Sequence, residues 1–269
     1  MCPRLFTIGS FSLPTYGLLV VAGLLVGLLI AGRLGRRVGI DPDHVTNLGV
    51  YLALSAIVGA KLFMVLSDSG YYLEHPSRIF SLATLRAGGV FYGGLLAALG
   101  TAFWFSRKYG LRPLRTADVF APAVAIGHSI GRLGCFAAGC CWGKPSSLPW
   151  AMAFSDPAAH DYVGVPLNIH LHPTQLYEAG GTLLIGLVLL WRFGKPHPPG
   201  AIVGLYLVLY SAFRFGVEFL RDEAERNFPF GGALSSTQWV ALLLVAAGIG
   251  LLARQRGKAS GPLAQQPSG

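Results

Sequence analysis

Long apolar runs separated by short charged segments dominate the chain as far as residue 253. Most of these runs approach the roughly 20 residues that an α-helix needs to cross a bilayer. They predict seven spans, at residues 5–32, 45–66, 87–106, 119–143, 172–191, 201–213 and 227–253. The ten-residue alternation typical of a closed membrane barrel does not occur. The predicted fold is therefore an all-α polytopic membrane protein with about seven transmembrane helices.

The composition agrees with a membrane protein. The chain has 269 residues, of which 53% are hydrophobic and only 12% charged, and its mean hydropathy is +0.54. Ordinary globular domains carry about 25% charged residues. The net charge of +9 comes from basic residues that stand mostly between the apolar runs. This pattern is typical of residues that set the membrane topology and contact anionic lipid. No basic face or RNA-reading motif occurs, so we expect no nucleic acid partner.

The basic residues also predict the orientation of the chain. They concentrate after spans one, three, five and seven, at Arg33, Arg36, Arg37, Arg107, Lys108, Arg112, Arg115, Arg192, Lys195, Arg254, Arg256 and Lys258. The opposite side has only Arg4, Arg78 and Lys144 clearly in loops. By the positive-inside rule, we expect the N-terminus outside and the C-terminus in the cytoplasm. The first run continues past signal-peptide length and is taken as the first span.

One transmembrane domain is expected to cover residues 1–258. Residues 144–171 are polar, aromatic and rich in proline, which predicts a small extracytoplasmic cap. Residues 259–269 are rich in Gly, Pro, Gln and Ser and predict a disordered cytoplasmic tail.

Charged residues inside the spans are the first candidates for function, because each costs several kcal/mol in lipid unless it meets a partner or a ligand. They are Lys61, Arg132, Glu178, Arg214, Glu218 and Arg221. Arg214 and Glu218 are four residues apart on one helix, so a structural ion pair is one interpretation. The other is that Arg132 and one of the later arginines bind a phosphate, because a guanidinium matches phosphate oxygens bidentately. In a membrane, the obvious anionic ligand is a phospholipid.

A glycine-rich stretch, "RAGGVFYGGLLAALG", contains Gly93 and Gly94. Close helix packing through small residues explains it as well as a re-entrant turn that exposes backbone N–H groups to an anion. The second alternative brings Tyr92 to the same site, where its phenol could act as acid or base.

The cysteines Cys135, Cys140 and Cys141 stand in "GCFAAGCC". Their spacing is a weak metal signal, since it lacks a C-x-x-C pair and a second cluster. Two other interpretations stay open: the cysteines pack as small apolar side chains, or two of them form a disulfide that faces an oxidising compartment. The three thiols also leave open a membrane thiol oxidoreductase.

Five motifs together resemble one family. "TYGLLV", "AGGVFYGGLLAALG", "SIGRLGCFAAGCCWGKP", "HPTQLYEA" and "SAFRFGVEFLR" occur in the order and spacing of bacterial phosphatidylglycerol–prolipoprotein diacylglyceryl transferases, in a variant whose motif is rich in cysteine. The resemblance runs from about residue 9 to residue 253. It implies a seven-span inner-membrane enzyme that transfers the diacylglyceryl group of phosphatidylglycerol to the lipobox cysteine of a preprolipoprotein. The product is a thioether, and glycerol 1-phosphate leaves.

The resemblance also implies site residues. Arg132 and Arg214 match the arginines at the lipid headgroup, and the expected catalytic set adds Tyr92, Tyr210 and Glu218. The expected phosphatidylglycerol-binding set adds Tyr16, Gly93, Gly94 and Arg221 to the two arginines. Further motif positions are Cys135, Cys140, Gly143 and His172.

This chain departs from the family pattern at three of these positions. Tyr92 stands where the family commonly has histidine, Cys135 where it has asparagine and Cys140 where it has glutamate. The candidates for the base are therefore Tyr92, Tyr210, His128 and Glu218, with Tyr92 favoured by its position. No metal or soluble cofactor is expected, because the reacting thiol belongs to the substrate. A lipid or solute transporter is a further alternative, although no internal repeat supports it.

Overall fold

The computed structural model describes residues 4–8, 11–81, 84, 89–222, 226, 228, 229 and 232–259. Its helices are Thr15–Arg37 (α1), Pro42–Ser67 (α2), Ser69–Glu74 (α3), Phe91–Lys108 (α4), Pro113–Ala138 (α5), Pro157–Val163 (α6), Thr174–Phe193 (α7), Ala201–Val217 (α8) and Ser236–Ala259 (α9). Short 3₁₀ helices cover Pro76–Phe80 and Glu218–Leu220. The strands are Arg4–Ile8 (β1), Phe11–Pro14 (β2), Met152–Ala153 (β3) and His170–Leu171 (β4).

Six helices of the described chain are long and apolar enough to cross a membrane, which confirms the predicted all-α polytopic membrane fold. These are α1, α2, α5, α7, α8 with the 3₁₀ turn that follows it, and α9. The predicted span 87–106 corresponds to α4, which begins only at Phe91 and ends in Arg107 and Lys108, and α4 is not among the six. The count of seven spans therefore stays a prediction.

Three predicted spans were wrong at one end. The run at 5–32 begins with the antiparallel hairpin β1–β2, and α1 starts only at Thr15, because an uncharged apolar run does not by itself distinguish strand from helix. The run at 119–143 leaves the helix after α5, where Gly139 takes a left-handed φ of 80°. The run at 227–253 becomes helical at Ser236, since the Ser235 hydroxyl accepts the Gln238 N–H and caps α9.

The chain divides into two compact units, the larger made of Met1–Ile30 and Ala117–Gly269 and the smaller of Ala31–Thr116. In the smaller unit, α2 and α4 pack through glycine. A Cβ on Gly93 would lie 2.5 Å from the carbonyl oxygen of Gly59, and one on Gly94 would lie 2.9 Å from that of Ala56. Gly93 and Gly94 are thus helical packing positions, as the first alternative for the glycine-rich stretch supposed.

The helices of the larger unit also approach closely at small residues. A Cβ on Gly23 of α1 would lie 2.5 Å from the carbonyl oxygen of Gly127 in α5. A Cβ on Gly248 of α9 would lie 2.8 Å from the carbonyl oxygen of Gly204 in α8. Such contacts bring the helix backbones together, as is usual where lipid gives no hydrophobic driving force between helices.

A buried carboxylate fixes the start of α8. Asp118 is 1% exposed, and its oxygens accept the backbone N–H groups of Gly200 at 2.6 Å, Ile202 at 2.9 Å and Val203 at 2.8 Å. These donors have no intrahelical partner at a helix N-terminus, and negative charge is favourable there. The sequence analysis missed this residue, because its partners lie more than eighty positions away.

The segment predicted as a cap, residues 144–171, contains β3, α6 and β4. β3 and β4 pair with Met152 opposite Leu171 and Ala153 opposite His170. The segment contributes most of a small hydrophobic core formed by Trp142, Phe154, Ala159, Val165 and Leu171. This part of the chain therefore has a packed structure of its own, while its position outside the membrane stays a prediction.

Candidate active site

Arginine and glutamate side chains from three helices of the larger unit meet in one buried cluster. Arg132 of α5 lies 2.6 Å from Glu178 of α7, measured from Nη2 to Oε2. Arg214 of α8 contacts the other oxygen of Glu178 at 3.4 Å through Nη1. Its Nη2 lies 2.9 Å from Glu218 Oε2, so the ion pair predicted from the i,i+4 spacing is present. Arg132 and Arg214 are therefore held together by Glu178, a carboxylate that they share.

Glu218 has two further partners, both of which the sequence analysis missed. The Ser235 hydroxyl donates to Glu218 Oε1 at 2.8 Å, and Arg226 Nε lies 3.9 Å from the same oxygen. Arg226 Nη2 also donates to Gln238 Oε1 at 3.4 Å. Arg226 stands outside the apolar runs and has no helical spacing to Glu218, so its sequence gives no signal of this contact. We call Arg132, Arg214, Arg226, Glu178 and Glu218 the arginine–glutamate cluster.

The charges of the cluster do not balance. Among the described residues it contains three guanidinium groups and two carboxylates. The side chains of Arg132 and Arg214 are 15% and 11% exposed, whereas those of Glu178 and Glu218 are only 2% and 3% exposed. The carboxylates thus lie behind the two arginines and orient them. Two guanidinium groups on the more accessible side of a buried cluster with a net positive charge suit an anionic ligand.

Aromatic and imidazole groups surround Arg132. Its Nε donates to Nε2 of His128, one helical turn earlier, at 3.0 Å. The Tyr210 hydroxyl lies near the same guanidinium. The rings of His128 and Tyr210 lie 5.6 Å apart, and Tyr206 stacks on Tyr210 at 5.5 Å. Because His128 accepts through Nε2, that nitrogen carries no proton and is already engaged by Arg132.

Gly143 lies where three backbone segments come together. Its N–H donates to the carbonyl of His172 at 3.0 Å, and the next N–H, of Lys144, donates to the carbonyl of Leu220 at 2.9 Å. Gly143 also forms an antiparallel bridge with Arg221. A Cβ at this position would lie 2.5 Å from the Leu220 oxygen and 2.7 Å from the His172 Cβ. Only glycine fits there without moving backbone that carries Arg221 and the end of α8.

The three cysteines converge beside this bridge. Their Sγ atoms all lie within 4.8 Å of one another, and all three are free thiols in the structure. Cys135 is in the last turn of α5, and the chain reverses through Gly139, with φ 80°, and Cys141, with φ 61°. Hydrogen bonds from the Cys135 and Cys140 thiols lower the pKa of Cys141, and the charges of Arg221 and Arg132 act in the same direction. We call these three residues the cysteine cluster.

Side chains from the start of α7 hold the loop of the cysteine cluster. Gln175 Nε2 donates to the carbonyl of Cys140 at 2.7 Å, and Thr174 Oγ1 donates to that of Cys141 at 2.7 Å. Both Gln175 and Thr174 are almost fully buried. The motif "HPTQLYEA" therefore places Glu178 on the same helix as Thr174 and Gln175, the two residues that bind the cysteine loop.

The remaining predicted residues lie in two places. Tyr16, at the start of α1, contacts the last turns of α5, where a Cβ on Gly134 would lie 3.3 Å from Tyr16 Cδ2. His172 hydrogen-bonds through Nδ1 to the Tyr177 hydroxyl at 3.2 Å. Tyr92, Gly93 and Gly94 belong to the smaller unit, in the first turn of α4, and Tyr92 is exposed.

Comparisons with known proteins match nearly the whole chain. A family model described as prolipoprotein diacylglyceryl transferase matches residues 3–254. A protein of Clostridium tetani is 32% identical over 250 residues, which are 93% of this chain and 96% of that protein. Proteins of Nitratidesulfovibrio vulgaris and Bordetella avium are 34% and 35% identical over 98% and 92% of this chain, and over 97% and 92% of their own lengths. All three relatives carry the name phosphatidylglycerol–prolipoprotein diacylglyceryl transferase.

Proposed function

The chain belongs to the prolipoprotein diacylglyceryl transferase family, and from this premise we propose that it transfers the diacylglyceryl group of phosphatidylglycerol to the lipobox cysteine thiol of a preprolipoprotein. It is a multi-pass protein of a bacterial membrane. A transferase family gives no support to the alternative of a membrane thiol oxidoreductase. The orientation with the N-terminus outside and the C-terminus in the cytoplasm belongs to this proposal, as does the position of the cap, residues 144–171, on the outer side.

The observation that carries the site assignment is the pair of arginines that share Glu178. Arg132 and Arg214 each keep a guanidinium oriented by a carboxylate on its buried side. Such a pair suits the phosphate of phosphatidylglycerol, because two forked donors can bind its non-bridging oxygens. As the bond between the glyceryl carbon and the phosphate oxygen breaks, negative charge grows on the leaving phosphate, and the same two groups stabilise it.

Most of the other proposed site residues belong to the larger unit, as this pair does. Tyr210 and Glu218 contact Arg132 and Arg214 respectively, which supports a role in holding the two arginines. Arg221 and Gly143 share a backbone bridge next to the cysteine cluster, so we propose that Arg221 contributes to headgroup binding. Tyr16 and His172 stay proposed members of the site. Gly93 and Gly94, although they pack helices, stay proposed contacts of the lipid in the smaller unit.

The thiol proton also needs an acceptor. His128 Nε2 is occupied by Arg132, and Glu218 is occupied by Arg214 and Ser235. Tyr92 stays the favoured candidate because of its position in the family motif, and it belongs to the smaller unit.

Tyr92→Phe is expected to lower kcat by about 10²-fold, the lower end of what general acid–base catalysis contributes. The measurement is transfer from labelled phosphatidylglycerol to a lipobox peptide by the purified protein. Tyr71→Phe, in α3, removes a phenol from the same unit and is the matched control. A Tyr92→Phe variant with the wild-type rate would eliminate Tyr92 from the mechanism.

Mass spectrometry of a lipobox peptide incubated with the protein and phosphatidylglycerol vesicles tests the function itself. We expect the peptide to gain the mass of one diacylglyceryl group and glycerol 1-phosphate to accumulate. A peptide in which serine replaces the lipobox cysteine should gain nothing. Lipid movement between vesicles without any change in peptide mass would favour a transporter and refute the transferase assignment.

A further inference from the structure

The cysteine cluster has a geometry that packing alone does not require. The chain brings three thiols together by reversing direction immediately after α5, and this reversal needs a left-handed backbone at Cys141, which is uncommon for any residue other than glycine. Strained conformations of this kind persist where the surroundings impose them and are concentrated at functional sites. Here Gln175 and Thr174 impose it by holding the carbonyls of Cys140 and Cys141.

Three thiols at these separations match the ligand set of a zinc ion. A Zn–S bond is about 2.3 Å long, so two sulfurs of a tetrahedral zinc site lie about 3.8 Å apart. The Sγ atoms of Cys135, Cys140 and Cys141 lie within 4.8 Å of one another, so small side-chain rotations give that separation. Thiolates are soft ligands that select zinc over harder cations such as magnesium. Three protein ligands leave the fourth position of a tetrahedral ion open, as in catalytic zinc sites.

We infer that Cys135, Cys140 and Cys141 form a zinc site whose open fourth position binds the lipobox thiol of the substrate. This inference rests on the proposed transferase function, because it needs a thiol substrate. Zinc with three thiolates carries one net negative charge, and the guanidinium groups of Arg221 and Arg132 lie near Cys141 to balance it. Arg132 also belongs to the proposed phosphate site. The thiol and the phosphate would thus be bound on two sides of the same arginine.

The chemical step balances without an oxidant or a reductant. On binding zinc, the substrate thiol loses its proton, and water takes the proton away. The sulfur then attacks the glyceryl carbon attached to the phosphate oxygen of phosphatidylglycerol. A carbon–sulfur bond forms, the carbon–oxygen bond breaks, and its electron pair stays on the phosphate, which leaves as glycerol 1-phosphate. The product thioether is a much weaker ligand than a thiolate, so it dissociates and reopens the fourth position.

The spacing of the cysteines hid this site from the sequence analysis. The x4 spacing and the adjacent Cys140 and Cys141 do not resemble the usual C-x-x-C ligand pair. Adjacent residues in an extended or helical backbone direct their side chains apart, whereas here the chain reverses with positive φ at Gly139 and Cys141, and the three sulfurs converge. The same positions differ from the family's asparagine and glutamate, so the inference is specific to this cysteine-rich form.

Metal content is the first test. The protein is purified in detergent under a thiol reductant, and zinc is measured by elemental mass spectrometry. We expect about one zinc per chain, loss of at least ~90% of it in a Cys135→Ser, Cys140→Ser, Cys141→Ser triple variant, and full retention in Cys2→Ser as the matched control. Cys135→His should keep zinc, because histidine is also a zinc ligand, whereas Cys135→Ser should lose it. Wild-type protein without zinc even after zinc is added, or with a disulfide among the three cysteines, would overturn the inference.

Cobalt substitution tests the open position independently of activity. Co²⁺ replacing zinc gives sulfur-to-metal charge-transfer absorption, and its intensity grows with the number of thiolates bound. We expect this absorption to rise when a lipobox peptide binds and to stay unchanged with the cysteine-to-serine peptide. No rise with the cysteine peptide would contradict substrate thiol binding.

Transfer assays separate this inference from the proposed function. Zinc removal is expected to lower transfer about 30-fold at pH 7, because a free thiol of pKa about 8.5 is then only about 3% ionised. Diacylglyceryl transfer by protein that never binds zinc would defeat the zinc site and leave the proposed function intact. Zinc and cobalt binding with the peptide response, but no transfer under any condition, would support the thiol site and defeat the proposed function.

Discussion

Arg214→Ala is expected to lower diacylglyceryl transfer by at least ~10³-fold in kcat. Removing one preorganised donor to a developing negative charge typically costs ~10²–10³-fold. Here the same change also leaves Glu178 without one of its two arginines and Glu218 without its closest one. The two carboxylates are 2% and 3% exposed. Removing one partner of a buried ion pair lowers the free energy of unfolding by about 3–5 kcal/mol. The measurement is kcat with labelled phosphatidylglycerol and a lipobox peptide.

Two further variants separate chemistry from folding. Arg214→Lys keeps the charge but cannot contact both glutamates with a planar fork, so we expect a loss of at least ~10²-fold with less destabilisation. Arg132→Ala should lose activity comparably, since Arg132 holds the other oxygen of Glu178. Arg107→Ala, at the exposed end of α4, is the control and should transfer normally. Wild-type kcat in both Arg132→Ala and Arg214→Ala would refute the proposed phosphate site.

Gly143→Ala is the second change with a large expected effect. Its Cβ would lie 2.5 Å from the Leu220 oxygen, 2.7 Å from the His172 Cβ and 2.8 Å from Thr174 Cγ2. At least one of these segments must move, and each borders the proposed site. We expect transfer to fall by about 10²-fold, because a displacement of about 1 Å can cost that much in an oriented reaction. The thermal midpoint should fall as well.

The control for Gly143→Ala is a helical glycine of the larger unit. Gly180→Ala in α7 adds its Cβ where nothing lies within 4 Å, and alanine favours a helix over glycine by about 1 kcal/mol. It should be at least as stable as the wild type and fully active. A Gly143→Ala variant with unchanged activity and thermal midpoint would show that the bridge with Arg221 tolerates the displacement.

Local patterns in the sequence predicted the parts of the site that depend on spacing. Arg214 and Glu218 lie one helical turn apart, so their ion pair follows from helix geometry alone. The apolar runs located six membrane helices, because only helices satisfy their own backbone in lipid. They did not show that the strands Arg4–Ile8 and Phe11–Pro14 precede α1, since residues 5–14 are uncharged like the start of the span that follows.

Contacts between distant segments could not be predicted in the same way. Nothing in the sequence around Glu178 says that it faces both Arg132 and Arg214, because that depends on how α7 packs against α5 and α8. Arg226 reaches Glu218 from a loop, and Asp118 reaches the start of α8 from another helix. The convergence of the cysteines depends on a chain reversal with positive φ at Gly139 and Cys141, which spacing does not reveal.

Glu178 has a consequence for the entropy of lipid binding. A long arginine side chain that is ordered only when its ligand arrives loses rotamer freedom at that moment, and this weakens binding. Because both oxygens of Glu178 are already engaged, Arg132 and Arg214 have lost that freedom during folding. In the proposed phosphate site, an entering lipid therefore meets two donors at a fixed separation, and the departing glycerol phosphate leaves them in place for the next molecule.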